Sequence, residues 1–153
     1  MRILLLALGL VAAAGGALAA DVDYRAINAD AVRRHTLPRY AALAEATARL
    51  DRAAQAFCAA PAADKIAPLQ EAWRTGMSAW QGVQHLRFGP VEYFNRLPRF
   101  AFWPDPRNVA QRQLADLFEK RDAEAMTPAR LVSGSVAIQG FSALERVLFD
   151  PAE

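Results

Sequence analysis

The chain has 153 residues, 18 basic against 16 acidic, 54% of them hydrophobic, and a single cysteine. This length supports one domain of ordinary size. A net charge of +2 without a basic stripe gives no electrostatic case for nucleic acid, and one cysteine excludes an internal disulfide framework.

The first segment, "MRILLLALGLVAAAGGALAA", is built as a secretory leader. Arg2 precedes an apolar run from Ile3 to Val11, small residues follow, and Ala17 and Ala19 occupy the two key places of an A-x-A cleavage site. The expectation is a signal peptide over 1–19, cleaved after Ala19, and a periplasmic mature domain over 20–153. The competing expectation is a retained anchor, since no charge falls between Ile3 and Ala20. Loss of Arg2 with the leader brings the charges to 17 against 16.

Helix signals dominate the rest. Tyr40, Leu43, Thr47, Leu50, Ala54 and Phe57 recur at three- and four-residue steps, one seam of a helix. That helix begins near Tyr40 or earlier near Asp30, with Pro38 giving a kink or a restart, and Pro61 closes it. Cys58 beside Phe57 predicts a buried thiol; the alternatives are pairing with another chain or with a cysteine outside these 153 residues. A second helix is predicted over 63–86, with Pro68 near its start. Its seam is Ile66, Leu69, Trp73, Gly76 or Met77, Trp80 and Val83. Gly76 costs about 1 kcal/mol against alanine in a helix unless close packing needs it.

The stretch "RFGPVEYFNRLPRFAFWPDPRN" (87–108) breaks the pattern with Gly89, Pro90 and three further prolines, so it is predicted to be a long loop. Its rings, including Phe88, Tyr93, Phe94, Phe100, Phe102 and Trp103, are expected to pack down on the helices. A third helix follows over 109–121. Thr127 and Pro128 then form a start signal for a fourth, which runs to about Asp150. No strand pattern and no repeat appears. The expected fold is all-α: a four-helix-bundle-like domain with a long aromatic loop packed on it.

Few residues offer chemistry. There is no H-E-x-x-H, and His35 and His85 are far apart in the chain. His85 reads as a partner of the helix dipole and His35 as surface. Ser142 lacks the surroundings of a catalytic serine. What remains is Gln139, Ser142 and Glu145 on the last helix, with Glu92 and Asp105 from the loop. Facing a cavity, these carboxylates suit a hard cation such as Fe(III) or Ca²⁺. Facing Arg87 or Arg96, they make an ion pair that pins the loop.

Several segments together, in this order, resemble the N-terminal part of imelysin family proteins: "LPRYAALAEATARLDRAAQAFCAAP", "AWRTGMSAWQGVQHLRFGPVE", "FWPDPRN" and "SVAIQGFSALERVLFD". The resemblance implies an exported helical protein from a family built of two related bundles, of which this chain holds one. Some members are tied to bacterial iron regulation and uptake, and some are classed as metallopeptidases. The family signature, Gly-x-His-x-x-Glu, falls on Gly140, Ser142 and Glu145, so serine stands where histidine is expected. On this resemblance a pocket is expected between the motif helix and the loop, bordered by Glu145 with Arg87, Gly89, Pro90, Arg96, Trp103, Gln139, Gly140 and Ser142. Glu145 is the expected ligand of iron or another divalent or trivalent metal, with Glu92 and Asp105 beside it.

The expected function is a non-catalytic binding module linked to iron or other metal acquisition. The alternatives are a metallopeptidase, weakened by Ser142, and a structural or protein-interaction bundle. The partners implied are a metal ion or an iron-uptake membrane component. The chain reads as truncated at its C-terminal end, leaving a face for a missing second bundle or a homodimer partner and hence an apolar patch.

Overall fold

The computed structural model describes residues 21–150. The expected signal peptide, and the reading of the chain as truncated, lie outside the described residues. Helix α1, Tyr24–Ala31, starts where the Asp23 carboxylate accepts the N–H of Ala26 at 2.9 Å, satisfying one donor that the first turn leaves free. It continues without a break through a π-helical stretch, Val32–Thr36, into α2, Leu37–Ala59. The π stretch answers the expected disturbance at Pro38. A proline inside a helix has no N–H to give and crowds the carbonyl four residues back. Here the preceding turn widens, and Leu37 bonds to the carbonyl of Val32, five residues away.

After a 3₁₀ turn at Ala63–Lys65, α3 covers Ile66–Gln81. It stops short of the expected end, and the chain leaves through a series of tight turns, with Gln84 N–H bonded to Trp80 O and Leu86 N–H to Val83 O. Helices α2 and α3 form an antiparallel hairpin. At its closed end the Lys65 ammonium donates to the carbonyls of Ala56 and Ala60, at 3.1 and 2.7 Å, capping groups that no further turn can reach.

Every residue of the predicted α2 seam is at least half-buried. In α3, Leu69, Trp73, Gly76 and Trp80 are buried, and Val83 just beyond it is also buried. The core gathers Leu43, Trp73, Trp80, Val83, Val91 and Phe141. Gly76 is there for room: a Cβ on it would sit 2.8 Å from Cε1 of Phe141. Trp73 donates its indole N–H to the Phe141 carbonyl at 3.0 Å and meets the Phe141 and Phe149 rings edge-on.

The predicted loop holds more structure than expected. A 3₁₀ segment, Gly89–Asn95, leads into a short helix α4, Arg96–Phe100, and left-handed Phe94 and Asn95 turn the chain between them. The expectation that its rings pack down is corrected. Phe100 stacks on Trp80 with centroids 4.8 Å apart and Phe102 is half-buried. Phe94 and Trp103, however, are 80% and 81% exposed, and Phe88 and Tyr93 are largely exposed too. The loop's short elements leave only one face against the hairpin.

Helix α5, Val109–Lys120, turns Ala110 and Leu114 inward. The predicted fourth helix is also corrected. It is divided into α6 (Pro128–Ser133), a 3₁₀ turn at Val136–Ile138, and α7 (Gly140–Phe149), because Gly134 and Gln139 are extended and Gly140 has φ +67. Pro128 does open α6. The Thr127 hydroxyl instead donates backward to Glu124 O at 2.8 Å. Cys58, expected to be buried, is exposed on the last turn of α2. Helices α2, α3, α5 and α7 make an all-α bundle, and among the described residues there is no strand.

Candidate functional site

The signature segment gains its shape from Gly140. Its backbone passes so close to α4 that a Cβ would lie 2.9 Å from the Phe100 carbonyl carbon, and closer still to the carbonyl oxygens of Arg99 and Phe100. The positive φ and the missing side chain together let α7 start against α4.

Beside it, Gln139 acts as a knot. Its amide nitrogen donates to Leu131 O (2.7 Å), Ser135 O (3.1 Å) and Gly134 O (3.2 Å), so its two protons serve three carbonyls of the connection from α6. Its side-chain oxygen accepts from Arg99 Nη1 at 2.9 Å. Arg99 also donates to Val132 O at 2.6 Å and Phe94 O at 3.2 Å. Arg96 donates to Pro90 O at 2.7 Å and lies over the Phe94 ring. The loop is therefore pinned by guanidiniums on backbone carbonyls, where sequence reasoning offered carboxylates. Arg99, whose role that reasoning missed, carries most of this.

Glu145 does not border a pocket. It is exposed in the second turn of α7, and none of the ion pairs among the described residues includes it. Its neighbour Arg146 pairs with Asp150 at 3.2 Å. Phe141 and Ala143 lie on opposite sides of α7 and both are buried. Beyond them Glu145, Arg146 and Val147 are exposed, while Leu148 and Phe149 return to pack against the core.

Ser142 is half-buried, while Glu92 and Arg87 are exposed. Gly89 has φ +71 with open space around it. Asp105 serves the backbone: its carboxylate accepts the N–H groups of Val109 and Ala110, at 2.8 and 2.9 Å, at the start of α5. Those bonds, Ala110 first and Val109 next, hold its carboxyl below the ordinary value. The expected ligand set of Glu145, Glu92 and Asp105 is thus not assembled. Among the described residues no three His, Cys, Asp or Glu side chains are grouped to hold a metal ion.

What the motif helix does border is an open apolar cleft of about 770 Å³. Phe141, Ala143, Leu144 and Val147 of α7 line it, facing Leu50 of α2, Phe100 of α4, Leu114, Leu117 and Phe118 of α5, and Leu131 and Val132 of α6. Its polar lining residues are already engaged. Gln139, Arg96 and Arg99 are bonded as above, and the Thr47 hydroxyl donates to Leu43 O at 2.9 Å. Val132 and Val147 on its rim are 63% and 52% exposed. The cleft is built by α2 and by α4 to α7 together.

The fold also joins two residues that the sequence separates. His35, in the π stretch, and His85, just beyond α3, bring their Nε2 atoms to 3.2 Å with ring centroids 5.4 Å apart. The signal for this was their equal distance in sequence from Ala60, where the hairpin turns.

In comparison with known proteins, the family model Peptidase_M75, described as Imelysin, matches residues 36–153. No curated protein and no solved structure matches the chain.

Proposed function

Because this chain belongs to the imelysin family, we propose that it works in the bacterial periplasm as a non-catalytic binding module, connected with iron or other metal acquisition, and that its apolar cleft is the binding element. The observation that carries this reading is the cleft itself. Its lining is apolar, its polar groups are already paired within the chain, and its rim leaves Val132, Val147 and Phe118 in solvent. A small ligand is usually oriented by a few free polar groups in an otherwise apolar pocket. An open apolar surface with none to spare suits the apolar face of a helix.

The occupant of the cleft is a second helical bundle, supplied by another copy of this chain. The family resemblance, which implies two related bundles packed together, favours a partner of the same kind. The link to iron, and to a membrane component of iron uptake, comes from the resemblance alone. The metallopeptidase alternative has less behind it. Serine replaces the signature histidine at position 142, and Glu145 lies apart from Glu92 and Asp105.

Val147→Glu tests the reading, because position 147 is at the mouth of the cleft and a carboxylate there stays hydrated. The expected result is a concentration-dependent dimer of the wild-type chain in sedimentation. The variant is expected to be a monomer with stability changed by no more than about 0.5 kcal/mol. A wild-type chain that stays monomeric at about 100 µM, where even a complex with a Kd of about 1 µM would be formed, overturns the proposal.

A further inference from the structure

The two histidines of this chain meet although neither lies in the cleft nor in the signature. His35 projects from the widened turn that Pro38 imposes on the long helix, and π-helical turns of this kind are frequent at functional sites. His85 projects from the turns that end α3 at the open end of the same hairpin. Their Nε2 atoms stand 3.2 Å apart, His85 is exposed and His35 half-buried, and the ring planes are inclined at 49°. Without a metal, one ring donates its Nε2 proton to the other.

The same spacing fits a different role. Imidazole nitrogens bind a transition-metal ion at about 2.0–2.1 Å, and two of them on one tetrahedral ion lie about 3.3 Å apart. We propose that His35 and His85 form a two-histidine clip for a divalent transition-metal ion of the zinc and copper class, each binding through Nε2. An ion at this place replaces the shared proton, and the rings need only turn so that both lone pairs point to it.

Imidazole is suited to Zn²⁺, Cu²⁺ and Ni²⁺ rather than to the hard cations that carboxylates prefer. The nearby positive charge is partly answered. Arg33 and Arg34 both reach Asp30, at 2.8 and 3.5 Å. Among the described residues no third His, Cys, Asp or Glu joins the pair, so the ion keeps open positions for water or for a donor from another molecule. A closed structural site would fill all four. An open clip on the surface is built for capture and release. This inference does not depend on the cleft.

The test is calorimetric titration of zinc sulfate into the full mature chain carrying Cys58→Ser, since the exposed thiol would otherwise bind the same ions. The chain has two histidines, so His35→Gln and His85→Gln each leave one. Two donors held together gain about 10²-fold over either alone. The expected result is one zinc per chain in the parent and an affinity about 10²-fold lower in each variant. Thermal unfolding supplies a second readout: zinc raises the parent's melting temperature and leaves both variants unchanged, because only the intact clip ties the π-helical stretch before α2 to the turns after α3. His85 is exposed and His35 half-buried, neither is among the buried core residues, and matching melts without zinc verify that the variants fold. No saturable zinc binding in the parent, or less than about a tenfold loss in either variant, overturns the proposal.

Discussion

Replacing Gly140 with alanine separates two costs that glycine avoids at once, and Gly89 supplies the reference. Both residues have left-handed backbones, φ +67 and φ +71, a conformation that costs a residue with a Cβ about 1–2 kcal/mol. At Gly89 the new methyl meets nothing within 4 Å, so Gly89→Ala bears that term alone. At Gly140 the methyl would be driven into the backbone of Arg99 and Phe100. A backbone cannot rotate away as a flexible side chain does. Helix α4 must move, loosening the Phe100–Trp80 stack. Such overpacking adds about 1–3 kcal/mol, for a total of about 2–5 kcal/mol. That is a large part of the stability of a typical domain, about 5–15 kcal/mol. At about 4 °C per kcal/mol for a chain of this size, Gly140→Ala melts about 8–20 °C below wild type, and Gly89→Ala about 4–8 °C below it. The assay is thermal unfolding by circular dichroism, backed by urea titration. Equal losses in the two variants would refute the close approach of α7 to α4.

Two further outcomes follow from local contacts. Asp105 is held ionised by the N–H groups of Ala110 and Val109, below its ordinary value of 3.8. A group depressed in the folded state stabilises above its unfolded value and loses that contribution as pH falls through the folded one. Wild type should therefore melt above Asp105→Asn at neutral pH, with the gap narrowing as pH falls below 3.8; a gap independent of pH contradicts the assigned role. Cys58 is exposed, so the folded chain should react with a thiol reagent as fast as it does in urea. Protection until unfolding would return the thiol to the core.

The long hairpin was legible because its helices bury one continuous seam. Periodicity reports direction around a helix, and Leu43, Leu50, Trp73 and Trp80 each find a neighbour in the direction they face. The same logic failed on α7. Glu145 stands about 40° round α7 from Phe141, on the side away from Leu144, but burial also requires a neighbour at that point, and Glu145 is exposed while Leu148 and Phe149 further along still pack on the core. The aromatic loop failed for a related reason. Ring content signals a packing surface without saying that this chain supplies the other side, and Phe94 and Trp103 face outward. Gly140 was visible as a motif glycine, yet its necessity lies in the carbonyls of Arg99 and Phe100, some forty residues earlier in the chain.

The signature residues thus answer to different demands. Gly140 is structural, admitting α4, as is Gln139 just before the signature, which ties the connection from α6 to Arg99. Glu145 has no hydrogen bond or ion pair among the described residues and is not grouped with Glu92 and Asp105 to hold a metal ion. This changes the chemistry to be expected of a bound metal. Isolated carboxylates in water bind a cation weakly, because each must give up hydration without help from a second donor, whereas two imidazoles whose Nε2 atoms already stand 3.2 Å apart have little ordering left to lose. The proposed clip therefore directs a search for bound metal to zinc or copper at the open end of the hairpin rather than to Fe(III) at the signature helix. The cleft and the histidine pair share no residue, so each can be abolished while the other is measured.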